Sequence, residues 1–281
     1  MKTFTAILAA GLLAAGAQLQ AREKEPVNAG PYVPSPTSVV ADMLTLAEVK
    51  ANDFVIDLGS GDGRIVLTAA KVFGARGFGV EIQDNLVREA NESAKKQGIA
   101  DRVKFITQDL FKTDISQATV VTMYLLPNTV NLLKDKLLTE LKPGTRVMSH
   151  DYPLAGWIPE KYVQMDLEDK VAISGVNTTL IYLYVVPAKV QGSWNAKLPA
   201  NLSKDPVRLD LRQQVTRVSG SARIGGRDVL LEEAKLRGER LTFKLAAGGR
   251  TWDFTGTIKA GAIKGSVEGG GVKSAWSATG R

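Results

Sequence analysis

The sequence contains no cysteine and a single histidine, His150. A chain without thiols holds neither a disulfide framework nor a thiolate metal site, and one imidazole excludes a His-rich metal centre. The dinucleotide fingerprint G-x-G-x-x-G is missing as well. So is any motif that interleaves aromatic and basic residues, which argues against a nucleic-acid partner. The apolar run near the start, Phe4 to Ala17, is too short to cross a bilayer, so no transmembrane span is expected in the mature chain.

What is present centres on Val55 to Arg64, Val-Ile-Asp-Leu-Gly-Ser-Gly-Asp-Gly-Arg. Apolar residues around Asp57 predict a short buried parallel strand. The glycines at 59, 61 and 63 then form a turn before the helical pattern Ile65, Val66, Ala69, Ala70 and Phe73. Such a strand, turn and helix start let a nucleotide-like ligand approach the backbone at the carboxyl end of the sheet. Carboxylates at Asp57 and Asp62 suit a cationic or hydroxyl-bearing ligand better than a pyrophosphate. The next strand, Gly77 to Ile82, carries Glu81, twenty residues after Gly61 and able to accept both hydroxyls of a ribose. A third, Val103 to Thr107, is followed by Gln108-Asp109, placed to bond an adenine edge.

These residues, Asp57-Leu58-Gly59-Ser60-Gly61-Asp62-Gly63, Gly79-Val80-Glu81 and Gln108-Asp109, resemble the motifs of class I S-adenosylmethionine-dependent methyltransferases over roughly residues 31 to 186. The resemblance implies S-adenosyl-L-methionine as cofactor, bound by Asp57, Gly59, Gly61, Gly63, Glu81 and Asp109. It also implies an α/β fold, a Rossmann-like seven-stranded methyltransferase sheet.

Along the chain, Lys2, the apolar run to Ala17 and the small residues up to Ala21 read as a secretory signal peptide, residues 1–21. Export to the periplasm or cell envelope follows; without the signal the protein would be cytoplasmic. Residues 22–36 form a Pro-rich linker, with Ser35 as cap and Pro36 as first residue of a helix whose apolar face is supplied by Val39, Val40, Met43, Leu44 and Leu46 to Val49. Tyr32 either packs on that helix or covers the cofactor. The core unit, 37–187, continues with helices at Asp84 to Gly98 and Asn128 to Leu141 and a stop at Lys142-Pro143-Gly144. It closes with a hairpin of Val163 to Ile173 and Asn177 to Val186.

From residue 188 to 281 short alternating segments take over, at Val207 to Leu211, Gln214 to Ser219, Arg240 to Leu245, Thr251 to Gly256 and Ala275 to Arg281. Glycine turns between them predict a small all-β domain, a meander or barrel. This part holds 17 Lys and Arg against 8 Asp and Glu, whereas the preceding chain holds 19 against 21, so the basic character resides in the tail. Arg208, Arg212, Arg217 and Arg223 at alternate positions describe a solvated sheet face, with an acidic or anionic partner as the other reading.

After the fourth strand the chain reads Tyr124-Leu125-Leu126-Pro127-Asn128, without the Asn- or Asp-Pro-Pro-aromatic motif of many amino-group methyltransferases acting on DNA bases or glutamine. With Pro31-Tyr32-Val33-Pro34-Ser35-Pro36, Lys142-Pro143-Gly144-Thr145-Arg146-Val147, Ser149-His150-Asp151-Tyr152 and Trp157, it resembles the family of the mitochondrial lysine methyltransferases of the ATP synthase c subunit and the adenine nucleotide translocase. The resemblance implies N-methylation of a lysine side chain in a protein substrate. The signal peptide and the β-rich tail depart from those enzymes. Tyr124, Asn128 and His150 are the candidate catalytic residues, with Asp151 also in reach; core packing for Tyr124 and a structural hydrogen bond for His150 are the competing roles. Two functions stay open, an active methyltransferase and an exported, non-catalytic binding protein that keeps the fold.

Overall fold

The structure, a computed structural model, describes residues 30–280 except 169 and 172–174. The expected signal peptide and most of the linker lie outside the described residues. Chain order is α1 (Thr37–Leu46), β1 (Phe54–Leu58), α2 (Arg64–Phe73), β2 (Arg76–Glu81), α3 (Asp84–Lys96), β3 (Val103–Thr107), β4 (Val120–Met123), α4 (Pro127–Glu140), β5 (Arg146–His150), β6 (Lys161–Asp166) and β7 (Thr178–Val185). These strands form one sheet in the order β3-β2-β1-β4-β5-β7-β6. The first five are parallel, β7 runs antiparallel to β5, and β6 antiparallel to β7. Central strands covered on both faces run nearly all apolar, and β4 (Val-Val-Thr-Met) is buried throughout, its one polar side chain, Thr122, donating to Asp57.

The helices follow from amphipathic spacing. Ile65, Val66, Ala69 and Ala70 of α2, and Leu86, Val87, Ala90 and Ala94 of α3, bury one face each. Pro127 opens α4 at its first turn, where the missing N–H removes no helical bond. From β1 the chain winds to β2 and β3 on one side and later to β4 and β5 on the other. The order therefore reverses between β1 and β4, and a crevice opens beyond their carboxyl ends.

Two expectations need correction in this unit. Ser35 does not cap α1, because its hydroxyl is bonded to Nδ1 of His150 at 2.9 Å, and the helix starts after Pro36 without a side-chain cap. The first strand of the closing hairpin ends at Asp166, and Glu168, Lys170 and Val171 are helical. Leu167, Glu168 and Lys170 prefer helix over strand, so the β pattern stops where β-branched residues give way.

The second sheet contains β8 (Gly192–Lys197), β9 (Val207–Gln214), β10 (Arg217–Ile224), β11 (Arg227–Leu230), β12 (Glu232–Arg237), β13 (Arg240–Ala247), β14 (Arg250–Lys259), β15 (Ala262–Gly269) and β16 (Val272–Gly280). All nine are antiparallel, in the order β11-β10-β9-β8-β16-β15-β14-β13-β12. The N–H of Leu231, between β11 and β12, donates to the carbonyl of Gly220 in β10, so the sheet nearly closes into a barrel. Inward positions alternate with outward ones and gather Trp194, Trp252, Trp276, Phe243 and Phe254. Phe243 and Phe254 stack at 4.6 Å, with Trp276 edge-on to both. The segment expected as a strand at Gln214 to Ser219 instead contains a turn: Gln214 ends β9, Val215 takes φ 53°, and Arg217 opens β10. Arg208, Arg212, Arg217 and Arg223 are all exposed on the barrel's outer face.

The barrel's buried cluster, from Ala188 to Ala278, is separate from the clusters beneath the first sheet. The two units touch where Ala188 N–H donates to the carbonyl of Gly238 and Arg237 pairs with Glu160 at 2.8 Å.

Candidate active site

A cavity of about 300 Å³ occupies the crevice at the carboxyl ends of β1 to β4. Its walls include Asp57, Gly59, Ser60, Gly61, Asp62, Glu81, Gln108, Asp109 and Tyr124, and the segment from Gly30 to Ser35 lies across it. Of the sequence candidates, Asp57, Gly59, Gly61, Glu81, Asp109 and Tyr124 come together here.

Asp57 is almost fully buried at the end of β1, and its Oδ1 accepts the hydroxyl of Thr122 from β4 at 2.7 Å. Burial pushes its carboxyl up to about 7; the Thr122 bond works against the shift, and the negative charges of Glu81 and Asp62 add to it. Glu81 is held by three backbone amides. Its Oε2 accepts from Gly61 N–H at 3.0 Å, and its Oε1 from Ile82 and Gln83 at 2.8 and 3.0 Å. Gly59 and Ser60 both donate to the carbonyl of Val80, which ties the glycine turn to β2. Asp109 uses Oδ1 to accept from Phe111 N–H and so fixes its own turn in the cavity wall.

Gly61 has φ 53°, and a Cβ there would lie 2.4 Å from the ring of Tyr32. Tyr32 therefore covers the glycine turn, and the Pro-rich segment is strapped down by Arg64, which donates to the carbonyl of Ser35 at 2.8 Å. Arg64 also forks onto Asp62 at 2.6 Å. Burial opposes the charge of Asp62, but the bonds and charge of Arg64 outweigh it and hold the carboxyl below its usual range.

Three candidates are placed elsewhere. Gly63 (φ 81°) caps α2, and a Cβ there would meet the Phe105 ring at 2.6 Å and Ala90 at 2.8 Å, so this glycine serves helix packing rather than the cavity wall. Asn128 is exposed in the first turn of α4, outside the lining. His150 is fully buried, bonded to Ser35 and stacked on Tyr124 with ring centroids 3.9 Å apart. Burial lowers its pKa to about 4, with Asp151 opposing and Lys170 adding, so the imidazole is neutral at physiological pH.

Tyr124, half-buried, lies against the ring of His150; burial and the nearby negative charge of Asp151 raise its phenol. Among the wall residues without a reading of their own in the sequence are Ser60, whose buried hydroxyl lacks a partner among the described residues, and Arg64. The motif Gly-Ser-Gly-Asp-Gly-Arg contained both, but nothing local says that the arginine reaches back across 29 residues. Among the described residues no group of three or more His, Cys, Asp or Glu is arranged to hold a metal ion.

Residues 57–161 match a family model described as the ANTKMT methyltransferase domain. The chain is similar to a protein-lysine N-methyltransferase of Saccharolobus islandicus, 48% identical over 157 residues, which is 56% of this chain and 93% of that protein. It is similar also to the adenine nucleotide translocase lysine N-methyltransferase of Mus musculus, 35% identical over 156 residues, which is 56% of this chain and 63% of that protein, so less than two thirds of the latter's length is matched. A crystal structure described as an RNA methyltransferase from Salinibacter ruber in complex with S-adenosyl-L-homocysteine aligns with TM-score 0.51 and 46% identity, covering 56% of this chain and 96% of that one. All three likenesses leave nearly half of the chain unmatched.

Proposed function

The chain belongs to the S-adenosylmethionine-dependent protein-lysine N-methyltransferases, and from that premise we propose that its cavity binds S-adenosyl-L-methionine and directs the methyl group to a lysine side chain of a protein. The observation that carries the proposal is the convergence of Asp57, Glu81 and Asp109 from three successive strand ends on one cavity roofed by Tyr32. The donor set fits the cofactor. Crowded buried carboxylates favour a cation, the orphaned Ser60 hydroxyl needs a polar partner, and at Gly59 a Cβ would intrude on Leu125 at 2.6 Å. Glu81 would accept the ribose hydroxyls, Gln108 and Asp109 would meet the adenine, and Asp57 would face the cationic end. When bound, the cofactor supplies an electrophilic methyl group on a sulfonium.

The protein's own part is alignment and desolvation. An in-line displacement by an amine needs the reacting atoms held at ~3 Å, with water excluded. Tyr124 forms the wall on the acceptor side, and burial beside the negative Asp151 keeps its phenol protonated. His150 positions Tyr124 by ring stacking and does not itself reach the cavity. Nothing supports the non-catalytic alternative.

The assignment is tested by incubating the protein and labelled cofactor with envelope extract and with cytosolic extract. Labelled protein bands that vanish with Asp57→Ala are expected. Label in neither extract, despite measured cofactor binding, would defeat the enzymatic reading, and label in RNA alone would defeat lysine as acceptor.

The carboxyl of Asp57 also sets a pH dependence. It is protonated in the free folded protein below about pH 7, and a bound cation favours its charged form. Cofactor affinity is therefore expected to rise with pH, by at most about tenfold per unit, and to level off above pH 7. Calorimetry across this range should show proton release on binding, and Asp57→Asn should flatten the profile. Folding stability runs the other way: the folded state holds this proton more tightly than the unfolded chain, so the contribution is complete at low pH and is lost as pH rises through 7.

We propose also that residues 37–187 and 188–281 are separable domains, and that the outer face of the barrel engages an acidic or anionic partner. A chain ending at Pro187 should stay folded and bind the cofactor; aggregation or loss of binding would make the barrel part of the catalytic unit. The export signal at 1–21 remains a proposal from sequence, and an intact Met1 on cytosolic protein would refute it. Among the described residues no helix is long and apolar enough to cross a membrane.

A further inference from the structure

Lys170 is a buried cation beside the candidate active site, and the transfer chemistry gives its own ammonium no task. Its Nζ lies 2.7 Å from both carboxylate oxygens of Asp151 and 2.6 Å from the carbonyl oxygen of Thr178. An alkylammonium has three protons, and among the described residues it meets these three acceptor oxygens. The side chain is only 6% exposed, so the group is recognised in a pocket rather than held at the surface.

The pocket's position is informative. Asp151 follows β5 directly and Thr178 opens the antiparallel neighbour β7, so both stand at the cavity's end of the sheet. The Asp151 carboxylate lies 3.6 Å from Nε2 of His150, whose ring is 3.9 Å from that of Tyr124 between centroids, and Tyr124 is part of the cavity wall. The ammonium of Lys170 thus stands behind the Tyr124 wall of the space assigned to the cofactor. Asp151 takes φ 62°, a conformation that side-chain-bearing residues adopt at a cost, and its backbone N–H and Oδ1 are both bonded to Leu180, at 2.7 and 3.1 Å. The structure holds this carboxylate in place against its local preference.

Lys170 itself belongs to no sheet. It sits in the connection between β6 and β7, and no strand pairing depends on its side chain. Leaving alone would strand the partly buried Asp151 charge without a partner, so Lys170 gives way only as another cation takes its place. A lysine on a connecting segment can leave by rotating its own stem.

We propose that Asp151 and the Thr178 carbonyl form an alkylammonium site that receives the acceptor lysine, that Lys170 fills this site from within until a substrate lysine displaces it, and that the bound ammonium gives one proton to the Asp151 carboxylate before its nitrogen takes the methyl group. The inference rests on the methyltransferase reading and deepens it. The first test needs no turnover: binding of n-butylammonium, which copies a lysine side chain, is measured by calorimetry on Lys170→Ala. Asp151-dependent binding is expected, at least tenfold tighter than to the unaltered protein and absent from Lys170→Ala combined with Asp151→Asn. A Lys170→Ala protein that folds, keeps its cofactor affinity and binds n-butylammonium no better overturns the site.

Lys170→Met, which keeps the stem and removes the charge, covers the case in which the alanine variant does not fold. It should lower KM for a lysine-containing protein acceptor severalfold with little change in kcat; an unchanged or higher KM overturns the displacement. Methyl transfer without amine binding would retain the enzyme and reject the site. Amine binding with no transfer to any lysine would retain an ammonium pocket but reject its role as acceptor site.

Discussion

Gly61→Val is expected to abolish binding of S-adenosyl-L-methionine while leaving the fold intact. Gly61 occupies the left-handed region, which a β-branched residue disfavours strongly. Its N–H holds Oε2 of Glu81, so a shift of this peptide also releases the carboxylate assigned to the ribose. The new side chain would meet the Tyr32 ring, which forms the roof of the cavity. A loss of two orders of magnitude or more, about 3 kcal/mol, is expected by calorimetry, with the circular dichroism spectrum unchanged. The two causes separate in a second series: Gly61→Ala should lose less, and Tyr32→Ala should recover the steric share but not the backbone share. Normal affinity in a folded Gly61→Val protein would remove the glycine turn from the binding site.

Glu81→Ala should have the next largest effect. The carboxylate gathers three backbone amides, those of Gly61, Ile82 and Gln83, and its removal leaves all three to find water. Loss of hydrogen bonds to a charged acceptor predicts ~1.5 to 3 kcal/mol in cofactor affinity, about 10- to 100-fold. Glu81→Gln keeps one acceptor oxygen and should fall between. Because the amides of the glycine turn and the expected ligand share this one side chain, thermal stability should drop in parallel with affinity. Unchanged affinity in Glu81→Ala would take this residue out of the ribose role.

The glycine turn and its carboxylates were legible because they are local. A strand, a turn needing positive φ and a helix start lie within ten residues, and Glu81 and Asp109 follow at the ends of the next strands. Contacts across the chain were not. Nothing near Ser35 says that its hydroxyl goes to His150, 115 positions away, instead of capping the helix beside it. Nothing near Lys170 marks its meeting with Asp151. Gly63 fitted the motif, yet its lack of a side chain serves Phe105 and Ala90.

In the barrel the difficulty was composition. Glu-Glu-Ala-Lys-Leu-Arg of β12 is helix-forming by propensity and becomes a strand through pairing with β13, with an irregularity in register between Glu232 and Lys235. Conversely, the β-rich run at Gln214 to Ser219 hid a turn, because Val215 is β-branched and still takes φ 53°. Both exceptions are imposed by pairing with the next strand of a hairpin, β12 with β13 and β9 with β10.

The seam of the barrel joins β8 to β16, with Trp194 opposite Gly280 and Lys197 opposite Ser277. This arrangement orders events during synthesis on the ribosome. Every strand of the first sheet has been made by Val185, so that unit can collapse while the rest is still being translated, whereas β8 must wait for the last strand before it gains its second neighbour. Until then Trp194 and its apolar companions are exposed on an open, unpaired edge. The vulnerable interval in the life of this protein is therefore the stretch between completion of the first sheet and synthesis of β16, when a binding site for the cofactor can exist beside an unfinished barrel.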